Sequence, residues 1–333
     1  MRTNPMDDAD RLTEEALAHV EARIARIYGQ AAAEIGEKAA AHYRDLERKD
    51  VAMRARLERG EITEQDYQSW LSGQMLVGQI NEDLRNNLAE QITDTNRLAA
   101  AFINDWRLEV FSLNQNYTAW DLERTYGSLS FTIYNAEAVR RLIVDNPDLL
   151  PDPVNIDILV DKRWNRYKIV DVMASAIIQG KSVPKIARDL EIVVGMNKSS
   201  AVRNARSAMT GAQNAGRLSC FAHAAEMGID VRKRWVAAKD SRTRDSHRDL
   251  DGTVVPWDEP FHTILGSVIM HPGDRNAKPG DYYNCRCTMR TVEKPGIEAE
   301  QRMMRVRDPR TGKNVVVSEM TYKQWERWVK SRA

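Results

Sequence analysis

Cysteine is scarce: Cys220, Cys285 and Cys287 are the only thiols in 333 residues. An odd and sparse set does not build a disulfide framework, so a reducing compartment is expected. Long apolar runs are also missing, since none approaches the ~18 residues that a membrane span needs. The opening MRTNPMDDAD lacks a basic flank followed by an apolar stretch, which predicts that it is no secretory signal. Neither a Gly-rich phosphate loop nor a Gly-x-Ser-x-Gly elbow occurs, and on that ground the chain is expected not to be an enzyme. The chain does have 42% apolar and 29% charged residues, a balance that suits a soluble globular protein long enough for two domains.

Acids are absent from one long stretch of the middle of the chain. From Ile192 to Ala225 there is not one, while Lys198, Arg203, Arg206 and Arg217 remain. The net charge of +1 therefore hides an asymmetry: residues 1–100 carry 19 acids against 13 bases, residues 301–333 carry 9 bases against 3 acids. A chain with an acidic front and a basic rear meets a polyanion with its rear portion. Lys198, Arg203, Arg206 and Arg217 are the candidate DNA contacts. The stretch GKSVPKIARDLEIVVGMNKSSAVRNAR also has the look of a helix-turn-helix with Lys198, Arg203, Asn204 and Arg206 near bases, although its turn is longer than usual. The plainer reading is a solvated basic helix face.

Periodicity makes most of the chain helical. Leu17, Val20, Ile24, Ile27 and Ala31 recur at steps of three and four, as do Trp70, Leu76, Ile80, Leu84, Leu88 and Ile92 at steps mostly of four. Gly60 is placed to end one helix, and Thr63 with Asp66 to cap the next. Three prolines between Pro147 and Pro153 mark a joint. Helical spacing then returns, with Trp164, Ile169, Met173 and Ile177 on one side. Past Trp235, short β-rich runs (TVVP, TMRTV, NVVVS) alternate with Gly, Pro and Asp, and Thr321 with Gln324 forms a capping box for a last basic helix. The expected fold is mostly α: an elongated helical N-terminal region (1–150) and middle region (151–231), a small α+β domain (232–295), and a basic hairpin and helix (296–333).

Two of the cysteines stand one residue apart in GDYYNCRCTMRTV. In an extended segment residues i and i+2 point the same way, so Cys285 and Cys287 share a face and Arg286 turns from it. Two thiolates on one side are half of a tetrahedral zinc site. A packed pair of reduced thiols and a strained disulfide are the other readings. Two arginines among aspartates (Asp240, Arg242, Arg244, Asp251) read as a salt-bridge cluster holding a loop-rich domain together. An alternative makes His247 a general base with Asp240 or Asp274 on a metal, as in a metal-dependent hydrolase.

The same residues carry a resemblance. Trp235, Asp240, Arg242, Arg244, His247, Leu250-Asp251-Gly252, Pro256, Phe261 and Asn284-Cys285-Arg286-Cys287, with the helix upstream, resemble the phage Mu F-like minor head proteins, the phage head morphogenesis family, over residues 165–293. The resemblance implies a low-copy structural protein inside a tailed-phage head, made in the host cytoplasm, with portal and procapsid proteins as partners. Packaged double-stranded DNA is a further candidate partner, and a DNA-binding protein ejected with the genome is the second reading. It also implies a metal site that this chain only partly keeps. Some relatives have Cys-x-x-Cys at the position of Arg244 to His247, and a histidine where Tyr282, Tyr283 and Asn284 stand here. His247, Cys285 and Cys287 remain, with Asp249, Asp251 or His271 as candidates for a fourth ligand. No cofactor is required by the sequence, and zinc stays open.

Overall fold

The computed structural model describes residues 7–80, 82–126, 131, 133–178, 183–292, 303–308, 310–311, 313–318 and 320–332. Side chains at Leu76, Ile80 and Ile177, three positions of the expected stripes, lie outside the described residues.

The helices are α1 (Asp8–Glu58), α2 (Glu64–Ile80), α3 (Glu82–Tyr126), α4 (Ala136–Asp145), α5 (Ile158–Ile178) and α6 (Val183–Glu226). Short elements follow: β1 (Arg232–Val236), α7 (Asp245–Asp249), β2 (Val254–Pro256), β3 (Phe261–His262), β4 (Val268–Ile269), α8 (Pro279–Tyr282) and β5 (Thr288–Thr291). The chain closes with β6 (Met303–Arg307), β7 (Asn314–Ser318) and α9 (Tyr322–Lys330). The expected class, mostly α with a small α+β C-terminal part, is the observed one.

Local signals explain the boundaries. Gly60 takes φ +72° past the end of α1, and α2 starts with a reciprocal cap: Thr63 N donates to Asp66 Oδ2 at 2.9 Å while Asp66 N donates to Thr63 Oγ1 at 3.1 Å. The proline joint breaks the helical run between α4 and α5, with one short 3₁₀ turn at Pro147–Leu149. Thr321 and Gln324 complete the capping box of α9. The helix-turn-helix does not form. α6 is helical throughout, and the glycine expected at the turn, Gly195, lies inside it.

Two compact units result, one of Glu21–Ala101 and Asn155–Val202, the other of Met1–Val20, Phe102–Val154 and Arg203–Ala333. The first is helical. Its core holds Ile24, Ile27, Ala31, Leu88, Ile92, Ile169 and Met173, as the spacing predicts, but Trp164 is 40% exposed and Asn165 takes the inward position beside it. That asparagine belongs to a buried chain of amides: Tyr28 donates to Asn96 at 2.7 Å, Asn96 to Asn197 at 2.7 Å, and Asn197 to Asn165 at 2.9 Å. A closed amide chain costs little to bury and fixes the register of α1, α3, α5 and α6, because any slip strands a polar group.

The second unit carries three antiparallel sheets, β2-β1-β5, β3-β4 and β6-β7. β1 pairs with β5 from Lys233↔Thr291 to Val236↔Thr288, which seats Trp235 in the interior. β6, β7 and α9 pack on α3: Val306, Tyr322, Trp325 and Val329 cluster with Trp120. Under that cluster Glu123 is buried, accepting from Phe131 N at 3.0 Å and Trp325 Nε1 at 3.2 Å.

Burial lifts Glu123 from the ordinary 4.5 to about 8, against the opposing pull of the Phe131 and Trp325 hydrogen bonds. A folded-state value above the unfolded one means that its contribution to stability is complete below pH 4.5 and is lost as pH climbs through 8. Glu123→Gln should therefore flatten the fall of stability between pH 5 and 8, roughly the span of that shift. Thermal melts of both proteins across that range check it, and parallel profiles would contradict it.

Candidate functional site

His247 and the two cysteines meet although 38 and 40 residues separate them. His247 lies on α7, a one-turn helix on the loop after β1, and the cysteines lie just before β5, so the β1–β5 pairing brings both segments to one end of the sheet. His247 Nδ1 is 3.6 Å from Cys285 Sγ and 3.4 Å from Cys287 Sγ, and all three residues are buried. The three donor atoms lie within 4.8 Å of one another. Among the described residues no fourth His, Cys, Asp or Glu side chain joins them.

The candidates for that fourth position are engaged elsewhere. Asp251 pairs with Lys239 at 2.6 Å and accepts from Ala237 N, and buried His271 contacts Pro272 O at 3.0 Å with burial holding its pKa down. Asp249 is exposed on α7. Asp274 receives the Met270 and Asn276 amides at 2.7 and 2.8 Å, as a turn-forming aspartate does. The proposed hydrolase pairing of His247 with Asp240 or Asp274 is thus not assembled.

Spacing did not point to Asp281, yet it organises the cluster from behind. Its carboxylate accepts from Ser246 Oγ at 2.7 Å, Thr263 Oγ1 at 2.7 Å and Ser267 Oγ at 2.6 Å, and is fully enclosed. Burial pushes its pKa up, but the hydrogen bonds from Ser267, Ser246 and Thr263 outweigh that and leave it lowered. His247 Nε2 stands 3.5 Å from Asp281 Oδ1, too long for a good hydrogen bond but close enough to favour the tautomer with a proton on Nε2. Nδ1 is then left with its lone pair facing the sulfurs. Trp235 fixes the imidazole on its other side, edge to face at 5.3 Å, and packs on Phe261 at 5.2 Å.

The thiols are not equivalent. Cys287 donates to Cys285, which lowers the pKa of Cys285 and raises that of Cys287 well above the ordinary thiol value, with burial adding to the rise. Two sulfurs and one imidazole nitrogen at this spacing form a donor set that a borderline or soft metal ion takes.

The remaining motif residues serve the loop. Asp240 pairs with Arg286, Oδ1 at 2.8 Å from Nη2, rather than with Arg242 or Arg244, and this pairing holds its pKa far below the carboxylate range. Arg244 binds the carbonyls of Asp281 and Tyr283, while Gly252 (φ +83°) and Asn284 (φ +55°) take left-handed backbone. Asn284 is the less common case, and its amide is held by Ser207 Oγ at 3.1 Å.

The four DNA-contact candidates separate. Lys198 and Arg203 are exposed and Arg206 is half-buried. Arg217 is a correction: it is 2% exposed, with Asp7 at 3.0 Å and Asp10 at 2.9 Å, and is closed to any nucleic acid.

With this geometry in place, comparison identifies what the region is similar to. Residues 167–290 match the family described as Phage Mu protein F like protein. The chain is 29% identical over 208 residues to the minor head protein GP7 of Bacillus phage SPP1, covering 61% of this chain and 64% of that protein. It is 29% identical over 199 residues to NAD(+)--arginine ADP-ribosyltransferase EFV of Enterococcus faecalis (56% and 40%), and over 135 residues to the uncharacterized protein YqbB of Bacillus subtilis (39% and 43%). In each case the chain spans less than two thirds of the relative's length. No solved structure matches. The enzyme-named relative corrects one expectation: missing phosphate-loop and nucleophile-elbow motifs rule out only the chemistries that use them, so the conclusion that this chain is no enzyme does not stand. Residues 167–290, which span the two cysteines, His247 and the helix beneath them, are thus the part of the chain that is similar to the Phage Mu protein F like family.

Proposed function

We propose that this chain is a structural component of the head of a tailed double-stranded DNA phage, entering the procapsid beside the portal and remaining in the virion. The observation that carries the reading is the likeness to minor head protein GP7 over 61% of the chain. The fold suits such a role. Buried amide networks and ion pairs make rigid units, and among the described residues no helix is long and apolar enough to cross a membrane. Contact with packaged DNA is a second reading, favoured by exposed Lys198 and Arg203 in the acid-free stretch of α6.

The cysteine–histidine cluster fits a structural zinc ion. With Zn–N at about 2.0 to 2.1 Å and Zn–S at about 2.3 Å, the N···S edge of a tetrahedron is about 3.6 Å. The two edges here are 3.6 and 3.4 Å. His247, Cys285 and Cys287 would hold the ion, and it would supply a cross-link between α7 and the segment leading into β5 in a region with a small core.

Two outcomes are expected. Co-expressed with the portal, scaffold and major capsid proteins of its own phage, the full chain should sediment with procapsids, and should be lost from them when the portal is omitted. Retention without the portal would contradict the portal assignment, and absence from procapsids in both cases would contradict the structural reading. Protein purified without chelators should contain about one zinc per chain, lost in Cys285→Ser together with several degrees of melting temperature. Metal-free protein that takes up no zinc on titration, measured by elemental analysis, would reject the metal.

A further inference from the structure

The acid behind His247 is held so that one of its acceptor sites stays unused. A carboxylate offers about four lone-pair sites. On Asp281 three are filled by hydroxyl donors: Ser246 Oγ at 2.7 Å on Oδ1, with Thr263 Oγ1 at 2.7 Å and Ser267 Oγ at 2.6 Å on Oδ2. The backbone around them sets the direction of two of these bonds. Thr263 Oγ1 accepts from Ser267 N at 3.0 Å and Ser267 Oγ accepts from Lys278 N at 3.1 Å, so each hydroxyl keeps its proton for the carboxylate.

The site left over is on Oδ1, the oxygen that His247 Nε2 faces at 3.5 Å. Nε2 has the matching need: it is buried and has no hydrogen-bond partner, and with the two side chains 2% and 0% exposed bulk water does not reach the pair. Only one ring orientation serves both sides. Turned over, the imidazole would set Cδ2 against the sulfurs that Nδ1 now meets at 3.4 and 3.6 Å, and Cε1 against the carboxylate.

We propose that Asp281 is a positioning residue for the metal: it holds the Nε2 proton of His247 and so presents the Nδ1 lone pair to an ion shared with Cys285 and Cys287. This deepens the zinc reading above and rests on it. An ion on Nδ1 draws electron density from the ring and makes Nε2–H a stronger donor. The 3.5 Å contact then closes onto the open site of Oδ1 as a charge-assisted hydrogen bond. Ser246 on α7 and Thr263 and Ser267 in the turn between β3 and β4 grip the carboxylate from two segments, which fixes the direction in which the imidazole is held. Net charge is not the reason for the acid, because two thiolates already balance a divalent ion.

The test compares the full-length protein with Asp281→Asn, and with Asp249→Asn, which removes an exposed acid from the helix that carries His247. Zinc affinity is read by competition with a chromophoric chelator, and the protonated ring nitrogen by the nitrogen NMR shifts of His247. Melting temperatures of the metal-free proteins are the folding check. The wild type should carry the ring proton on Nε2 both before and after zinc is added. Asp281→Asn should bind zinc about 10- to 100-fold more weakly, the usual cost of losing such a partner, and should show both ring tautomers when metal-free. Asp249→Asn should match the wild type in both respects. A metal-free wild type protonated on Nδ1 overturns the proposal, whether or not Asp281→Asn folds. Wild-type affinity in Asp281→Asn overturns it too, as does an equal loss in Asp249→Asn, which would make net charge the cause. These outcomes leave the metal reading standing. A wild type that takes up no zinc overturns that reading, and this proposal with it.

Discussion

One face of α6 carries the edge of the small domain, and it does so with buried polar groups. Ser207, Thr210, Asn214 and Arg217 recur at steps of three and four, the spacing that sequence reading assigns to an apolar stripe. Here each bonds the main chain of the segment running into β5. Ser207 Oγ receives Asn284 N at 3.1 Å, and Thr210 donates to Cys285 O at 2.6 Å. Asn214 receives Met289 N at 2.9 Å and donates toward Cys287 O at 3.3 Å, while Arg217 donates to Met289 O at 2.9 Å. The helix stands where a further strand would stand. An unpaired backbone group buried against a helix is costly, so this row of side chains sets both the height and the register of the segment holding Cys285 and Cys287.

The last member of the row explains why the start of the chain belongs to the same unit. A buried guanidinium needs counter-charge, and Arg217 finds it in Asp7 and Asp10, with Asp10 also accepting from Gln213 at 2.7 Å and Arg290 at 2.9 Å. Burial works to lower the pKa of Arg217, yet the two aspartates raise it well above the usual range, so the cation stays charged. Close approach is needed as well. Gly216 lies against Phe111 O and Gly211 against Gly273, where a Cβ would come within 3 Å of backbone. Glycine there is a consequence of packing two backbones together.

What the sequence made legible follows from how local each signal is. The Thr63/Asp66 and Thr321/Gln324 caps, the Gly60 stop and the β-rich runs past Trp235 are all settled by residues within a few positions of one another, and all appear in the fold. Arg217 was misread because its partners lie more than two hundred positions away, and an acid-free window says nothing about acids brought in by folding. Asp281 escaped notice for the same reason: its worth lies in Ser246, Thr263 and Ser267, three hydroxyls that only the loop geometry gathers. The apparent turn at Gly195 failed because a single glycine costs a long helix only about 1 kcal/mol, less than the burial of Val193, Val194 and Asn197 around it returns.

The candidate site rests on this one helix face, because the cysteines meet His247 only if their segment is held at the correct height. Hydrogen exchange at the Asn284 and Met289 amides in Asn214→Ala tests that most directly. The account predicts strong protection of both amides in the wild type. In the variant the Met289 amide should exchange at least tenfold faster, and global stability should fall by about 1–3 kcal/mol, the cost of stranding a buried donor. Unchanged protection at Met289 in a variant of unchanged stability would contradict it, and would mean that the sheet alone holds the cysteines in place.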